Sequence, residues 1–241
     1  VRRDHLGELI ATDDRYWWHV AKRELVVELL RRHVPPPGRL VEAGVGAAGN
    51  LAAFRSLGYD VAGLDILPES VDRGRAMGMA DLQVHDVEAP WPMPRGSVDA
   101  VVMLDVLEHL RDPSAALRHA AAVLAPRGRM VVTVPAGPWL TSTWDTLLGH
   151  HRRYTPAMLE AHAAGGGVRV VWLSHWNAFS LPAAAVLRLS ERWFVRRRST
   201  AFPRVPGLVS AALLRCARAE RAVMRRTPIP CGLSLVALLS R

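Results

Sequence analysis

Lysine is almost absent from these 241 residues: of 31 lysines and arginines, Lys22 is the single lysine. That bias fits a GC-rich coding sequence and is given no functional weight. Cysteine is nearly as scarce. Cys216 and Cys231 are the only two, too few for a disulfide framework or a cysteine metal site, so a reducing cytoplasm is the expected compartment. No stretch reaches the roughly 18 uninterrupted apolar residues that a membrane-spanning helix needs. No signal-peptide pattern is read at the start, and because the first residue is Val1 the natural terminus stays open.

Half of the residues are hydrophobic, enough for one sizeable core with an appended piece. The formal charge of +9 is unevenly placed. Residues 1–180 hold 19 basic and 20 acidic side chains, a net −1, whereas residues 181–241 hold 12 arginines and 2 glutamates, a net +10. The basic character belongs to the tail.

The stretch Arg39–Asp65 organises the chain. Leu40-Val41 is a short apolar run of buried-strand type. Glu42 follows, then Gly44, Gly46 and Gly49. Leu51, Phe54 and Leu57 lie at helical spacing, with Gly58 as a stop. Val61–Leu64 is a second strand, and Asp65 closes it. A strand, a glycine turn, a helix and a strand ending in a carboxylate form a nucleoside-binding βαβ unit, in which the glycines admit a ligand to the backbone and the acid receives ribose hydroxyls. The glycines spell the dinucleotide pattern G-x-G-x-x-G. A carboxylate at Glu42, aimed into that loop, would repel a diphosphate and would suit a ligand with an ammonium group, such as S-adenosylmethionine (SAM).

This run resembles motif I of the class I SAM-dependent methyltransferases, and more narrowly their small-molecule group of the ubiquinone-biosynthesis type, over residues 38 to 175. Ala48 departs from the family pattern where a third glycine usually falls; alanine there is tolerable on condition that its φ is negative, with the loop slightly displaced. The resemblance implies an α/β Rossmann-like fold, a three-layer sandwich around a seven-stranded, mostly parallel sheet. It implies SAM as cofactor, held by Glu42, Gly44, Gly46, Asn50, Asp65, Ile66, Asp86, Val87 and Leu104. Within that set Ile66 lies along the adenine, Asp86 takes its amino group, and the Val87 N–H takes a ring nitrogen. Asp105-Val106-Leu107-Glu108-His109-Leu110, followed by Asp112-Pro113, resembles the family's segment after strand four.

Around that unit, Tyr16-Trp17-Trp18 precedes an amphipathic helix over Lys22–His33, ended by three prolines and Gly38. The aromatics either cap the sheet edge or form a lid in which Tyr16 and Trp17 meet a sulfonium cation. Further strands are expected at Leu82–His85, Val98–Leu104, Met130–Val134, Val168–Trp172 and Leu233–Leu239. Asp112 and Thr155 are expected helix N-caps, each with proline at the next position. Residues 135–156 read as a long irregular loop, the kind that often carries function. It holds His150, His151, Arg152, Arg153 and Tyr154. His109, His150, His151 and Tyr154 are the candidate proton acceptors, with His109 equally readable as a packing residue. Adjacent histidines chelate one ion poorly and no third acid is evident, so no metal is expected.

About 55 residues separate strands six and seven, an expected helical insertion. Its helices, roughly Ser180–Arg196 and Gly207–Arg226, carry arginine stripes: Arg188, Arg192 and Arg196 on one, Arg215, Arg218 and Arg225 on the other. They suit peripheral membrane contact through 181–226, a pocket with a cationic mouth, or a solvated cap. The expected organisation is a lid (1–37), a SAM-binding domain (38–176 plus 229–241) and the basic insertion (177–228).

The expected activity is methyl transfer from SAM to an O, N or C nucleophile of a small apolar or anionic metabolite. An NAD-dependent oxidoreductase and a non-catalytic membrane-surface module are the rival readings. No nucleic-acid partner is expected. The Asn/Asp-Pro-Pro-Tyr/Phe run of amino-methylating DNA enzymes is missing after strand four, and Pro230-Cys231 lies elsewhere.

Overall fold

A computed structural model of the chain describes residues 3–190 and 205–241. Seven strands form one sheet in the order β3-β2-β1-β4-β5-β7-β6: β1 (Arg39–Ala43), β2 (Asp60–Asp65), β3 (Leu82–Val84), β4 (Val98–Leu104), β5 (Leu124–Pro135), β6 (Arg169–Trp176) and β7 (Ser234–Ser240). The pairs along β3-β2-β1-β4-β5 are parallel, and β7 runs antiparallel to both β5 and β6.

The sheet is buried on both faces, as parallel sheets are. Within β4 the side chains alternate: Val101 and Met103 enter one core, Ala100, Val102 and Leu104 the other. The first core is covered by α5 (Pro113–Val123) and α7 (Pro156–Gly165), the second by α2 (Trp17–His33), α3 (Gly49–Ser56), α4 (Pro68–Ala76) and α9 (Gly207–Met224). Strand order reverses between β1 and β4, which opens a crevice at their C-terminal ends.

Several elements follow from local chemistry. The Asp112 carboxylate accepts the Ala115 N–H at 3.1 Å, and the Thr155 hydroxyl accepts the Met158 N–H at 3.2 Å. Both caps are followed by proline at the first helical position, as the sequence predicts.

Other boundaries differ. Helix α2 starts at Trp17, five residues before the expected Lys22, because the aromatic pair packs instead of projecting: Trp18 meets Trp176 at 4.7 Å between ring centroids and Trp17 meets Phe179 at 5.8 Å. Through Leu25, Val26, Leu29 and Leu30 this helix is part of the core. Its head, the preceding α1 (Arg3–Thr12) and Asp13 and Tyr16 between them border the crevice. The loop 135–156 is not irregular. It contains a 3-10 turn at Pro138–Leu140 and helix α6 (Thr143–Leu148), started by a reciprocal capping box between Ser142 and Asp145.

The insertion between β6 and β7 holds α8 (Leu181–Ser190) and α9. Arg192, Trp193, Phe194 and Arg196 of the expected first helix lie outside the described residues. Among the described residues most of the remaining stripe is engaged, Arg215 excepted. Arg218 and Arg221 bind Glu24 of α2, Arg221 and Arg225 bind Glu28, and Arg188 binds Asp145. Glu220 of α9 accepts the backbone N–H groups of Asn177, Ala178 and Phe179 at 2.5, 2.8 and 3.3 Å. That contact pins the start of the insertion to its second helix. No helix among the described residues is long and apolar enough to cross a membrane.

Candidate functional site

A cavity of about 690 Å3 occupies the crevice. Ten of the eleven sequence-predicted cofactor residues line it: Tyr16, Trp17, Gly44, Gly46, Asn50, Asp65, Ile66, Asp86, Val87 and Leu104. They converge because β1, β2, β3 and β4 all end there.

The glycine turn is shaped by its backbone. Gly44 has φ +86°, and a Cβ there would lie 2.5 Å from the Val106 side chain; Gly46 has φ +54°. Ala48 does not meet the condition of a negative φ, since its φ is +65°. The alanine keeps a glycine-like conformation, and its N–H still closes the turn onto the Val45 carbonyl at 2.9 Å. Asp65 is 6 % exposed. One of its oxygens accepts the Gly46 N–H at 2.9 Å and the other the Leu67 N–H at 2.8 Å, so the acid also braces the turn. Ile66 beside it is 59 % exposed, a bare apolar face at the cavity wall. Asp86 turns one oxygen to the Glu88 N–H.

Glu42 is the exception. It is fully buried beneath the loop and does not reach the cavity wall. One oxygen accepts the Asn50 amide at 3.0 Å; the other has no partner. Burial pushes its carboxyl up to about 8. It is therefore largely neutral at pH 7, and the expected repulsion of a diphosphate does not come from its charge. Its role in the geometry is to orient Asn50, which also accepts a bond from Arg23, itself held by Asp13 at 2.6 Å.

Beyond the turn the cavity widens against α1, α2, α6, α8 and α9. Lys22 enters it from α2. Its ammonium meets Asp105 at 2.7 Å, and Thr133 donates to the other Asp105 oxygen at 3.0 Å. Burial is the largest influence on the Asp105 carboxyl and works to raise it, but the Lys22 ammonium and the Thr133 hydroxyl together hold the group below the usual range. Asp105 stands at the end of β4 with φ +55°, a strained conformation of the kind that collects at functional sites. Neither residue was singled out in the sequence. The one available signal was the single lysine of a chain whose other long cations are all arginine.

The four candidate proton acceptors separate. His109 and His150 line the cavity with ring centroids 4.7 Å apart, edge to face. His151 is exposed and stands outside the wall. Tyr154 is fully buried, its hydroxyl donates to the Leu107 carbonyl at 3.1 Å, and burial raises its phenol further. The structure thus withdraws His151 and Tyr154 from the reacting face. Asp145 organises what remains. It accepts from His150 Nδ1 at 3.1 Å, Arg153 at 2.8 Å and Arg188 at 2.9 Å.

Glu108 is a further group the sequence reading passed over. It lines the cavity, is fully buried, and neither carboxylate oxygen has a hydrogen-bond partner. One ligand-capable atom from each of Glu108, His109 and His150 lies within 4.8 Å of the other two. The expectation that no third acid accompanies the histidines is therefore corrected. The fold pairs His150 with His109 from a different loop, and Glu108 comes with His109.

Residues 16–184 match the family model of the methyltransferase domain. Ubiquinone biosynthesis O-methyltransferases are similar: that of Xanthomonas axonopodis pv. citri is 28 % identical over 131 residues, covering 48 % of this chain and 55 % of that protein. That of Xanthomonas oryzae pv. oryzae is 32 % identical over 100 residues, covering 39 % and 42 %. The chain spans about half the length of these curated relatives. In fold it resembles the methyltransferase of Haloferax volcanii solved with the Trm112 methyltransferase activator (TM-score 0.64, 22 % identity, covering 100 % of this chain and 99 % of that one). It also resembles geranyl diphosphate methyltransferase in complex with SAM (TM-score 0.62, 18 % identity, covering 100 % and 91 %).

Proposed function

The chain belongs to the methyltransferase domain family, and on that premise we propose that it moves the methyl group of SAM to a nucleophile of a small, largely apolar molecule. The observation that carries this reading is the single cavity that joins the two halves. At one end stand the glycine turn, Asp65 and the bare face of Ile66, suited to an adenosine. At the other stand Trp18, Leu148, Ala184, Leu187 and Leu213, suited to an apolar acceptor body.

SAM is the cofactor. Asp65 receives the ribose hydroxyls, Ile66 lies against the adenine, and the Asp86–Val87 turn meets its edge. The aromatic faces of Tyr16 and Trp17 border the same space and attract a sulfonium. Methyl transfer is a displacement: the acceptor atom bonds to the methyl carbon while the electron pair of the sulfur–carbon bond returns to sulfur. The protein's contribution is alignment of nucleophile, carbon and sulfur, which effective molarities make worth several kcal/mol.

The Lys22–Asp105 pair, fixed at the β4 end, gives a polar contact for the acceptor's reacting group. Arg188, Arg218, Arg221 and Arg225 of the insertion are engaged with acids of the same chain, which supports its reading as a cap over the acceptor.

Calorimetric titration tests the proposal. SAM is expected to bind with one site per chain, NAD to give no heat, and Asp65→Ala to weaken SAM by at least about tenfold, the scale of a lost charge-assisted hydrogen bond. Tight NAD binding without SAM binding would overturn it in favour of an oxidoreductase.

A further inference from the structure

We propose that Glu108, His109 and His150 hold a divalent first-row transition-metal cation at the acceptor end of the cavity, and that this cation takes the hydroxyl oxygen of the acceptor.

The starting point is Glu108. A fully buried carboxyl group with no partner on either oxygen is an anomaly in a native fold, because buried polar groups are almost always hydrogen-bonded and buried charges are paired or bound to metal. The side chains that could have relieved it are committed elsewhere. Arg153 donates to Asp145 and to the Ala136 and Leu233 carbonyls. Lys22 is held by Asp105. The Tyr154 hydroxyl goes to Leu107. What faces Glu108 is a pair of imidazoles, with one ligand atom from each of the three residues inside a 4.8 Å circle.

The outer contacts also fit. A metal-bound imidazole characteristically gives its second ring nitrogen to a carboxylate or a carbonyl, which fixes its tautomer and orientation. His150 turns Nδ1 to Asp145 at 3.1 Å, and His109 turns Nδ1 toward the Gly149 carbonyl at 3.4 Å. Both rings therefore have Nε2 left for the cavity. Asp145 is in turn fixed by Arg153 and Arg188, so the support extends into α8 of the insertion.

Two imidazoles and one carboxylate suit zinc, manganese, cobalt or iron more than magnesium or calcium, which favour sets made of oxygen. Three protein ligands leave coordination positions open. An acceptor hydroxyl bound there becomes acidic and loses its proton to water. Its oxygen then bonds to the methyl carbon as the sulfur–carbon bond breaks, giving a methyl ether, S-adenosylhomocysteine and one released proton, with no change in oxidation state. This narrows the acceptor to an oxygen nucleophile and rests on the methyl-transfer reading; cation binding itself does not.

The experiment takes the full chain, stripped with a chelator, and titrates it with cobalt(II) while recording its visible absorption. Zinc competition and metal analysis give stoichiometry, and SAM affinity is measured calorimetrically on each sample. One equivalent of cobalt displaced by zinc is expected. Glu108→Gln and His150→Ala should each weaken it by about 10- to 100-fold or more, with SAM affinity within about twofold, which also reports that the variants are folded. His151→Ala, one residue away and outside the cavity, should change neither. Absence of a stoichiometric site in a wild-type protein that binds SAM would overturn the cation and leave methyl transfer standing. So would cobalt binding unaltered by Glu108→Gln and His150→Ala. A metal site without SAM binding would instead overturn the methyl-transfer reading, and with it the hydroxyl step.

Discussion

Ala48 shows two opposed energies at one position. An L-residue in the left-handed region costs roughly 1–2 kcal/mol, yet its buried methyl contributes about 0.8 kcal/mol and glycine would add disorder to the unfolded chain. Ala48→Gly is expected to leave unfolding free energy within about 0.5 kcal/mol, because these terms nearly cancel. Ala48→Val, β-branched and far less tolerant of φ +65°, should cost more than about 2 kcal/mol. Denaturant titration separates the two; equal losses would mean that strain at this turn is not what matters.

Glu42 is a residue whose environment writes a pH signature. Its carboxyl is raised by burial to about 8, above its unfolded value near 4.5. The folded protein therefore holds a proton that the unfolded chain has released, and stability from this group is full below pH 4.5 and lost as pH rises toward 8, on the order of a few kcal/mol in all. Other groups titrate too. His19, lowered to about 3 by burial and the Lys22 charge, favours the fold at neutral pH and ceases to do so as pH falls below its unfolded value. The difference between wild type and Glu42→Gln removes that background. Relative to the variant, wild type should lose stability between pH 5 and pH 8; a flat difference would mean that Glu42 is ionised in the fold.

At the scale of elements, the strands and the βαβ unit were legible because apolar runs, glycines and a terminal acid are local signals. Helix α6 was not, although Ser142 and Asp145 carry its capping box, because the surrounding glycines, prolines and threonines read as loop. The ends of the insertion were equally hidden. Glu220 is an isolated acid on a basic helix, and nothing near it in sequence says that it caps three N–H groups 41 to 43 residues earlier. Glu220→Ala should leave those donors unsatisfied and cost about 1–3 kcal/mol locally. Amide exchange would accelerate over 177–190, with the β1 and β4 amides unchanged. Unaltered protection at Asn177–Phe179 would show that the contact does not hold the insertion.

For the whole molecule, the sequence pointed to the glycine-turn side of the crevice far better than to the opposite side. The predicted residues that line it sit within a few positions of recognisable turns. The opposite side is assembled from distant pieces: Lys22 with Asp105, His109 with His150, Arg188 with Asp145. The same distance hid the fate of the positive tail. Its arginine stripes suggest a free cationic surface when α9 is read alone, but Arg218, Arg221 and Arg225 face Glu24 and Glu28 across nearly 200 residues of chain.

Helix α9 thus clasps α2 with its arginines and the β6 exit with Glu220, while α2 supplies Trp17 and Lys22 to the wall of the crevice. It works as a common strut behind that wall. Swapping α9 in isolation would loosen the α2 residues that line the crevice; under the proposed reaction, altered selectivity should arrive as matched changes on both helices.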